Sequence, residues 1–588
     1  MCGIIGQIKK EEQVSLELFN SMRDTLFHRG PDGYGTELFN NDRAAFGHRR
    51  LAILDLSDRG KQPMYSYEKD ILITFNGEIY NYKVLKEELV KKQYEFKSNS
   101  DTEVLIYGYK AWGIDLLLKK IKGMFAFAIW DKKSDNVFIV RDRFGMKPLY
   151  YYQDHNQFVF ASELKAIIKD KSIKKEIDKD ALADYFIYSY VPSPNCIWKG
   201  FKKLPPANYL VYNINTHEIS MHEYWILGVD KKKESEEEIR YNINGLLKQS
   251  VKEHLVSDVP VGLFLSGGYD STTVLMQAKE LGYNPNTFSL GFEESKRSEH
   301  LIAKIIAKTF DTNHKEYLFN NNVDYLEDFK KISYYYDEPY AISSMLTYYY
   351  ASKLASKTNK VALVGDGGDE LFAGYNWDND LYNYFNSYNY KSIIKRFING
   401  REKEFVSRYN TWMTGVYNSN LSCLNDDLKD RILNRGLWYF KQHYANSGDI
   451  IKDSQYLNFK TFIPQPSLTR ADRSSMANSL EVRVPFLDHE IFEYIFSLKS
   501  AKYYKQGEKK FLLKYHLSKK IPEEVFKMPK YGFSFQFLKN IFNEEYDSII
   551  KNGELNKLGI INFNFIKESD YLVKFHILML ELWFKNYN

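Results

Sequence analysis

Cysteine is scarce in this chain: Cys2, Cys196 and Cys423 are the only three among 588 residues, and they lie far apart with no metal-ligand spacing. That excludes a disulfide framework and a cysteine zinc site, and it points to a reducing, cytoplasmic setting. Cys196 and Cys423 read as ordinary buried thiols. A large surplus of one charge sign is missing as well. The net charge of +5 is diluted over a chain that is 27% charged, with no long basic stripe to track a phosphate backbone, so no nucleic-acid partner is expected. Long apolar runs are missing too. Met124 to Trp130 is far too short to span a bilayer, and no charged segment leading into an apolar run opens the chain, so neither a membrane nor a leader is expected. No internal repeat is evident. What the chain does have is length: 588 residues at 44% hydrophobic are too many for one core and enough for two or three.

The opening residues Met1-Cys2-Gly3-Ile4-Ile5-Gly6 carry the strongest chemical signal. A small residue in second place allows the initiator methionine to be trimmed, which sets a thiol beside a free α-amine. That amine, with a pKa of about 7.7–8.0, can take the thiol proton directly or through a water. Supporting groups follow in His28-Arg29-Gly30-Pro31-Asp32-Gly33, His48-Arg49-Arg50-Leu51-Ala52-Ile53, Asn76-Gly77-Glu78-Ile79-Tyr80-Asn81 and Ser100-Asp101-Thr102-Glu103. Hydrolysis of a side-chain amide needs donors for the tetrahedral oxyanion, which the Asn76 amide and the Gly77 N–H could supply. Free glutamine also needs a carboxylate for its ammonium, Asp101 with Glu78, and a guanidinium fork for its carboxylate, Arg50. In this order the segments resemble the glutaminase domain of the class II glutamine amidotransferases. The match spans most of residues 2–165, including Gly123 to Ala128 and Arg141 to Tyr150. The resemblance also puts Ile53 and Leu54 in the glutamine site. It implies an α+β N-terminal-nucleophile hydrolase sandwich, two antiparallel sheets between helices.

Local patterns agree with that class. Short β-rich runs at Ile71 to Phe75, Phe125 to Trp130, Val137 to Val140 and Phe158 to Phe160 are separated by Gly, Asn and Asp, with helices expected at about 84–92 and 102–112. A charged stretch from Gly228 to Glu238 reads as a solvated linker and an acidic helix start. It divides the expected domains, 1–215 and 236–588. The tyrosine runs 334–336 and 348–350 read as packing residues.

A second centre begins at Val261-Gly262-Leu263-Phe264-Leu265, a run of strand length, followed by Ser266-Gly267-Gly268-Tyr269-Asp270-Ser271 and a helix expected from Thr272. Strand, glycine turn and helix make a phosphate cradle, because converging N–H groups and a helix N-terminus attract anions. No Gly-Lys-Ser/Thr follows, so this is not a Walker A loop. The segment resembles the pyrophosphate loop of the ATP pyrophosphatases. Asp337-Glu338-Pro339, the strand-like Val361 to Val364, the acidic run Gly365-Asp366-Gly367-Gly368-Asp369-Glu370, the stretch Asp472 to Asp488 and Lys509-Lys510-Phe511 then extend the resemblance to the asparagine synthetases. It covers about the first 535 residues, and the tail from Asn540 carries no signal.

The asparagine synthetase resemblance implies a helix-rich α/β parallel-sheet domain after the sandwich, and ATP as a substrate with Mg2+. Residue by residue it places Phe264, Leu290, Val364 and Gly365 around the adenine nucleotide and Ser266, Gly267, Gly268, Asp270 and Ser271 on the phosphates. Asp270 and Asp369 become the magnesium ligands, Lys510 the group that neutralises leaving pyrophosphate, and Asp366 stands where some relatives carry a proton-transferring glutamate. The implied reaction hydrolyses glutamine at Cys2 and passes ammonia through an internal tunnel to β-aspartyl-AMP. Small-molecule substrates and a homodimer are the partners that go with it. Three departures bear on the acceptor: Tyr269 replaces a smaller aliphatic residue, Ala373 a common glycine, and Phe462-Ile463-Pro464-Gln465-Pro466 a Tyr-Leu-Pro-Asp-type stretch. They open an alternative, amidation of another carboxylate such as a uronic acid of a surface polysaccharide. A non-catalytic sensor of glutamine or nucleotide is the third reading, and intact Cys2, Asp270 and Asp369 argue against it.

Overall fold

Strict alternation along the amino-terminal strands sets the architecture, since successive side chains leave a strand on opposite faces. In β6 (Gly123–Asp131), Phe125, Phe127 and Ile129 join one apolar cluster while Ala126, Ala128 and Trp130 join another. Both faces are therefore covered, and the strand lies inside a sandwich. The computed structural model describes residues 2–228, 232–293, 299–320, 323–413, 415–528, 542–566 and 569–587.

Twelve strands form the sandwich: β1 (Gly3–Lys9), β2 (Gly33–Phe39), β3 (Ala44–Arg50), β4 (Met64–Tyr65), β5 (Ile71–Ile79), β6, β7 (Asn136–Arg141), β8 (Tyr150–Gln153), β9 (Gln157–Ala161), β10 (Phe201–Lys203), β11 (Asn208–Asn213) and β12 (Ile219–Glu223). They make two six-stranded sheets, ordered β10-β8-β9-β1-β3-β2 and β12-β11-β7-β6-β5-β4, with the antiparallel pairing expected. Phe46, Phe158 and Phe160 of one sheet meet Leu72, Ile139 and Tyr212 of the other between the layers. The helices Tyr82–Lys91 and Asp101–Lys120 cover the outer face of the second sheet through Leu85, Leu89, Val104 and Leu105.

The expected boundaries shift where capping or pairing overrides local propensity. Asn76-Gly77 reads as a turn dipeptide, yet β5 runs on to Ile79, because Asn76 and Gly77 pair with Ala126 and Phe125 of β6. The helix expected from residue 102 begins at Asp101, with Ser100 accepting the Thr102 N–H, and continues past Gly113, whose φ of +71° breaks it locally, to Lys120.

The second half is built on a parallel sheet ordered β15-β14-β13-β16-β17, comprising β13 (Val261–Phe264), β14 (Thr287–Phe292), β15 (His314–Phe319), β16 (Val361–Leu363) and β17 (Glu481–Arg483). Its middle strands read as short continuous apolar runs because helices bury both faces. The chain winds outward from β13 through β14 and β15, then returns to the other side at β16. That reversal leaves a crevice at the carboxyl ends of β13 and β16. The helix Glu236–His254 leads in, opened by a capping box between Ser235 and Glu238, and buries Ile239, Ile243, Leu247 and Val251 along one stripe. Val229, Asp230 and Lys231 of the charged junction lie outside the described residues.

The tail is more than the sequence suggested. Helix Tyr571–Tyr587 is apolar almost all round and correspondingly buried, with Trp583 only 1% exposed. Its Phe575 ring meets Phe329 at 5.4 Å and its Trp583 ring meets Trp198 at 5.1 Å. Among the described residues no helix is long and apolar enough to cross a membrane.

Candidate active sites

Cys2 immediately precedes β1 and is buried, lining a pocket with Arg50, Ile53, Leu54, Gly77, Glu78 and Asp101. Its nitrogen donates to Asn76 Oδ1 at 2.9 Å, which points the amide of Asn76 at the nucleophile. The other end of that amide, Asn76 Nδ2, is buried and has no hydrogen-bond partner among the described residues, so a donor stands ready for an oxyanion. Gly77 is required by space: a Cβ there would sit 2.1 Å from the Met124 carbonyl oxygen of the paired strand. Burial pushes the Cys2 thiol up, so the resting group is a thiol that needs a base. Met1 lies outside the described residues.

The rest of the pocket supplies complementary charge. Arg50 leaves the end of β3 and is wrapped by the following loop, donating to the carbonyls of Ser57 at 2.9 Å, Leu54 at 3.3 Å and Asp55. Asp101, in the first turn of its helix, accepts the Ile79 N–H at 2.9 Å, and burial lifts its carboxyl to about 6. Burial also raises the Glu78 carboxyl, outweighing the opposing pull of Arg483, whose guanidinium stands 3.3 Å away. Gln62, which lines this pocket, and Arg483, which reaches it only through Glu78, had no assigned role in the sequence. Gln62 donates to Thr102 at 3.1 Å and accepts the Phe75 N–H at 2.6 Å. Arg483 reaches Glu78 from β17, and its own carbonyl accepts the Val364 N–H at 3.0 Å. A charged residue inside the strand-like run Glu481 to Val484 was the available signal.

The crevice at β13 and β16 is a cleft of about 280 Å3, lined by Phe264, Ser266, Asp270, Ser271, Leu290, Val364, Gly365, Asp366 and Asp369 among others. Gly267 and Gly268 form the turn beneath rather than the lining. The helix after the turn begins at Tyr269, three residues earlier than expected, so Asp270 and Ser271 occupy its first turn. The hydroxyls of Ser266 and Ser271 lie 3.1 Å apart. The two loops approach so closely that a Cβ on Gly365 would fall 2.6 Å from the Ser271 nitrogen.

Asp270 and Asp369 converge on one point, which the buried Lys510 ammonium takes by pairing with both. The two carboxylates hold that ammonium well above the usual lysine range. Oxygen donors that converge on a cation, beside room for phosphate, fit the sparse protein ligation of Mg2+. Asp366 accepts from Tyr348 at 2.6 Å and pairs with Arg470 at 3.1 Å. Tyr348 therefore lines the cleft instead of serving only as packing. Glu370, a lining residue without an expected role, is lifted to about 7 by burial and by Asp369. Tyr269 is absent from the cleft lining among the described residues; its ring packs on Phe526 at 5.8 Å. Phe462 packs on Tyr375 and Trp377 at 5.6 and 5.8 Å, in a π-helix that holds Pro464 and Pro466.

Two centres in one chain invite comparison with known proteins. The glutamine amidotransferase domain model matches residues 1–225 and the asparagine synthase model matches residues 242–569. Asparagine synthetase (glutamine-hydrolyzing) 1 of Bacillus subtilis (strain 168) is 33% identical over 578 residues, covering 94% of this chain and 90% of that protein. A putative asparagine synthetase (glutamine-hydrolyzing) 2 of Methanocaldococcus jannaschii is 42% identical over 400 residues, 64% of this chain and 76% of that protein. Amidase chry2 of Gibberella zeae is 28% identical over 82% of this chain and 78% of its own length. Matched in both halves and along nearly its whole length, the chain belongs to the asparagine synthase family, in the form that carries a glutamine amidotransferase domain in front.

Proposed function

We propose that the protein converts aspartate, glutamine, ATP and water into asparagine, glutamate, AMP and pyrophosphate. The Cys2 thiol attacks the glutamine carboxamide and passes its proton to the freed α-amine. Asn76 Nδ2 and the Gly77 N–H receive the oxyanion, ammonia leaves, and water hydrolyses the thioester. A carboxylate resists ammonia because its carbonyl is electron-rich, so the aspartate side chain first displaces pyrophosphate from ATP. Ammonia then attacks the acyl adenylate and AMP departs. Asp101 and Glu78 hold the glutamine ammonium, Arg50 its carboxylate, and Ser266 and Ser271 the phosphates. Lys510 sits where pyrophosphate charge develops. Asp270 and Asp369 would hold Mg2+, which would neutralise phosphate charge when bound.

The observation that carries this reading is the buried Asn76 Nδ2, without a hydrogen-bond partner among the described residues, beside a buried thiol, in the same chain as a strand-end cleft where two carboxylates and a lysine converge. The alternative acceptor, a uronic acid, rested on three departures, and the first of them, Tyr269, is not among the cleft-lining residues described and packs its ring on Phe526. ATP–pyrophosphate exchange across candidate acids tests the choice, because exchange needs the acceptor and not the glutaminase. Aspartate should support it. Failure with aspartate together with exchange on a uronic acid overturns the assignment. A cytoplasmic setting and a homodimer belong to the same reading; the three buried free thiols support the former, and sedimentation checks the latter.

A further inference from the structure

An amphipathic helix on a folded protein ordinarily turns its apolar stripe toward the core. Helix Tyr390–Asn399 does the reverse. Its ends are well defined: the Asn389 side chain accepts the Lys391 N–H at 2.9 Å, and Gly400, at φ +79°, stops it. Tyr390, Ile393, Ile394, Phe397 and Ile398 recur at the spacing i, i+3, i+4, i+7, i+8, so at 3.6 residues per turn they share one face, about 140° wide. All five are exposed, Phe397 at 90%, Ile398 at 73% and Tyr390 at 66%, and no residue of the helix is buried. The opposite face carries Ser392 and Arg396, both partly buried. Arg396 donates to the Phe385 carbonyl and, at 3.2 Å, to that of Ser387. The polar side thus holds the helix to the protein, and the apolar side faces out.

Charge decides what such a face meets. Lys391, Lys395 and Arg396 are the only charged residues of the helix, and all are positive. Lys391 and Lys395 are exposed and make no ion pair among the described residues. They run along one edge of the stripe, about 100° and 140° around the axis from Tyr390. We infer that this helix is a peripheral anchor for an anionic lipid surface. Its stripe sinks to the boundary between headgroups and acyl chains, while the two lysines lay their stems along the apolar edge and meet lipid phosphates. Such a contact lies on the bilayer and needs no spanning segment, which is why the search for long apolar runs passed it by. A second copy of this chain fits the face less well. Two such helices packed together would set like charges against each other, and five side chains fall short of the about 20–30 residues a side that a stable interface uses. None of these residues lines the thiol pocket or the strand-end cleft, so the anchor leaves the chemistry as it stands.

Sedimentation of the full chain with sucrose-loaded vesicles tests the inference, with phosphatidylcholine alone set against an equal mixture of phosphatidylcholine and phosphatidylglycerol. The protein should pellet with the anionic vesicles and stay in solution with the neutral ones, and added salt should lower the bound fraction. Phe397→Ser should weaken vesicle binding at least about tenfold, the weight of one buried aromatic ring. Lys391→Gln should weaken it about fivefold, the weight of one basic side chain near an anionic surface. Both changes fall on exposed side chains, so both variants should keep the wild-type urea midpoint. Wild-type protein that stays in solution with anionic vesicles overturns the inference, as does equal binding to neutral ones or a folded Phe397→Ser that binds as wild type does. A wild-type oligomer that Phe397→Ser breaks, with no vesicle binding, gives the face to a second copy and overturns it too. Should a variant fail to fold, the lipid and salt dependence of the wild-type protein decides.

Discussion

At the scale of single residues, the thiol centre separates two half-reactions that share no side chain. Cys2→Ala should abolish glutamine hydrolysis and glutamine-dependent synthesis, yet leave synthesis from added ammonium at raised pH. Equal loss of both in a folded variant contradicts the division. Asp101 adds a pH signature. Burial holds its carboxyl at about 6, above the value near 3.9 of an unfolded aspartate, so the ligand-free protein holds the neutral acid below pH 6. That contribution to stability is full below pH 3.9 and is lost as pH rises through 6. On the proposed assignment glutamine binding needs the Asp101 carboxylate, so this residue must give up its proton on binding at pH 5 and has almost none to give at pH 8. The KM for glutamine should climb at least about tenfold per unit as pH falls below 6, the slope that Asp101 alone would give, with the raised Glu78 carboxyl adding to it. A KM flat from pH 8 to pH 5 would remove Asp101 from the ammonium site.

Elements were legible wherever period and capping agree. The alternating faces of β6, the apolar runs of β13 and β16 and the capped helix after Ser235 could be read directly from residue order. Asn76-Gly77 could not, because a turn dipeptide inside a strand is fixed by the neighbour it pairs with. One departure in sequence becomes intelligible here. Ala373 ends the short helix Gly368–Phe372 in the left-handed region, at φ 48° and ψ 52°, which costs a residue with a Cβ about 1–2 kcal/mol. Ala373→Gly should therefore stabilise this half of the protein by about 1 kcal/mol, read as a higher urea midpoint. A lower midpoint would show that the side chain's burial outweighs the backbone strain.

Across the whole molecule, the parts of the sites hidden from the sequence are those made by distant charges. His28, Arg29 and Asp472 were visible as motif letters, but that Arg29 would grip Asp472 and that Glu163 would pair with Arg473 is settled only by docking one half on the other. Buried charges of this kind persist only when each is paired, so their identities are tightly tied to the interface. The C-terminal helix closes the same interface. Trp583 donates to the Asp337 carbonyl at 2.7 Å and Tyr587 to its carboxylate at 3.1 Å, while that carboxylate also faces Lys165 and Arg473. Trp583→Ala removes a fully buried ring and should cost about 3–5 kcal/mol in urea unfolding. Trp583→Phe, which loses only the N–H and part of the ring, should cost less; equal costs would put the whole loss on the hydrogen bond and make the ring's burial irrelevant.

That closure has a consequence for how the protein is made. Trp583 follows Cys2 by more than five hundred residues, so at about 5–20 residues per second the nucleophile leaves the ribosome roughly half a minute to two minutes before the helix that seals its domain against the other. For most of that interval Arg29 and Glu163 have neither Asp472 nor Arg473 to meet. A growing chain thus carries a glutaminase half whose interdomain charges are still wet, and the Cys2 thiol acquires its final surroundings only after the helix that holds Trp583 has been made.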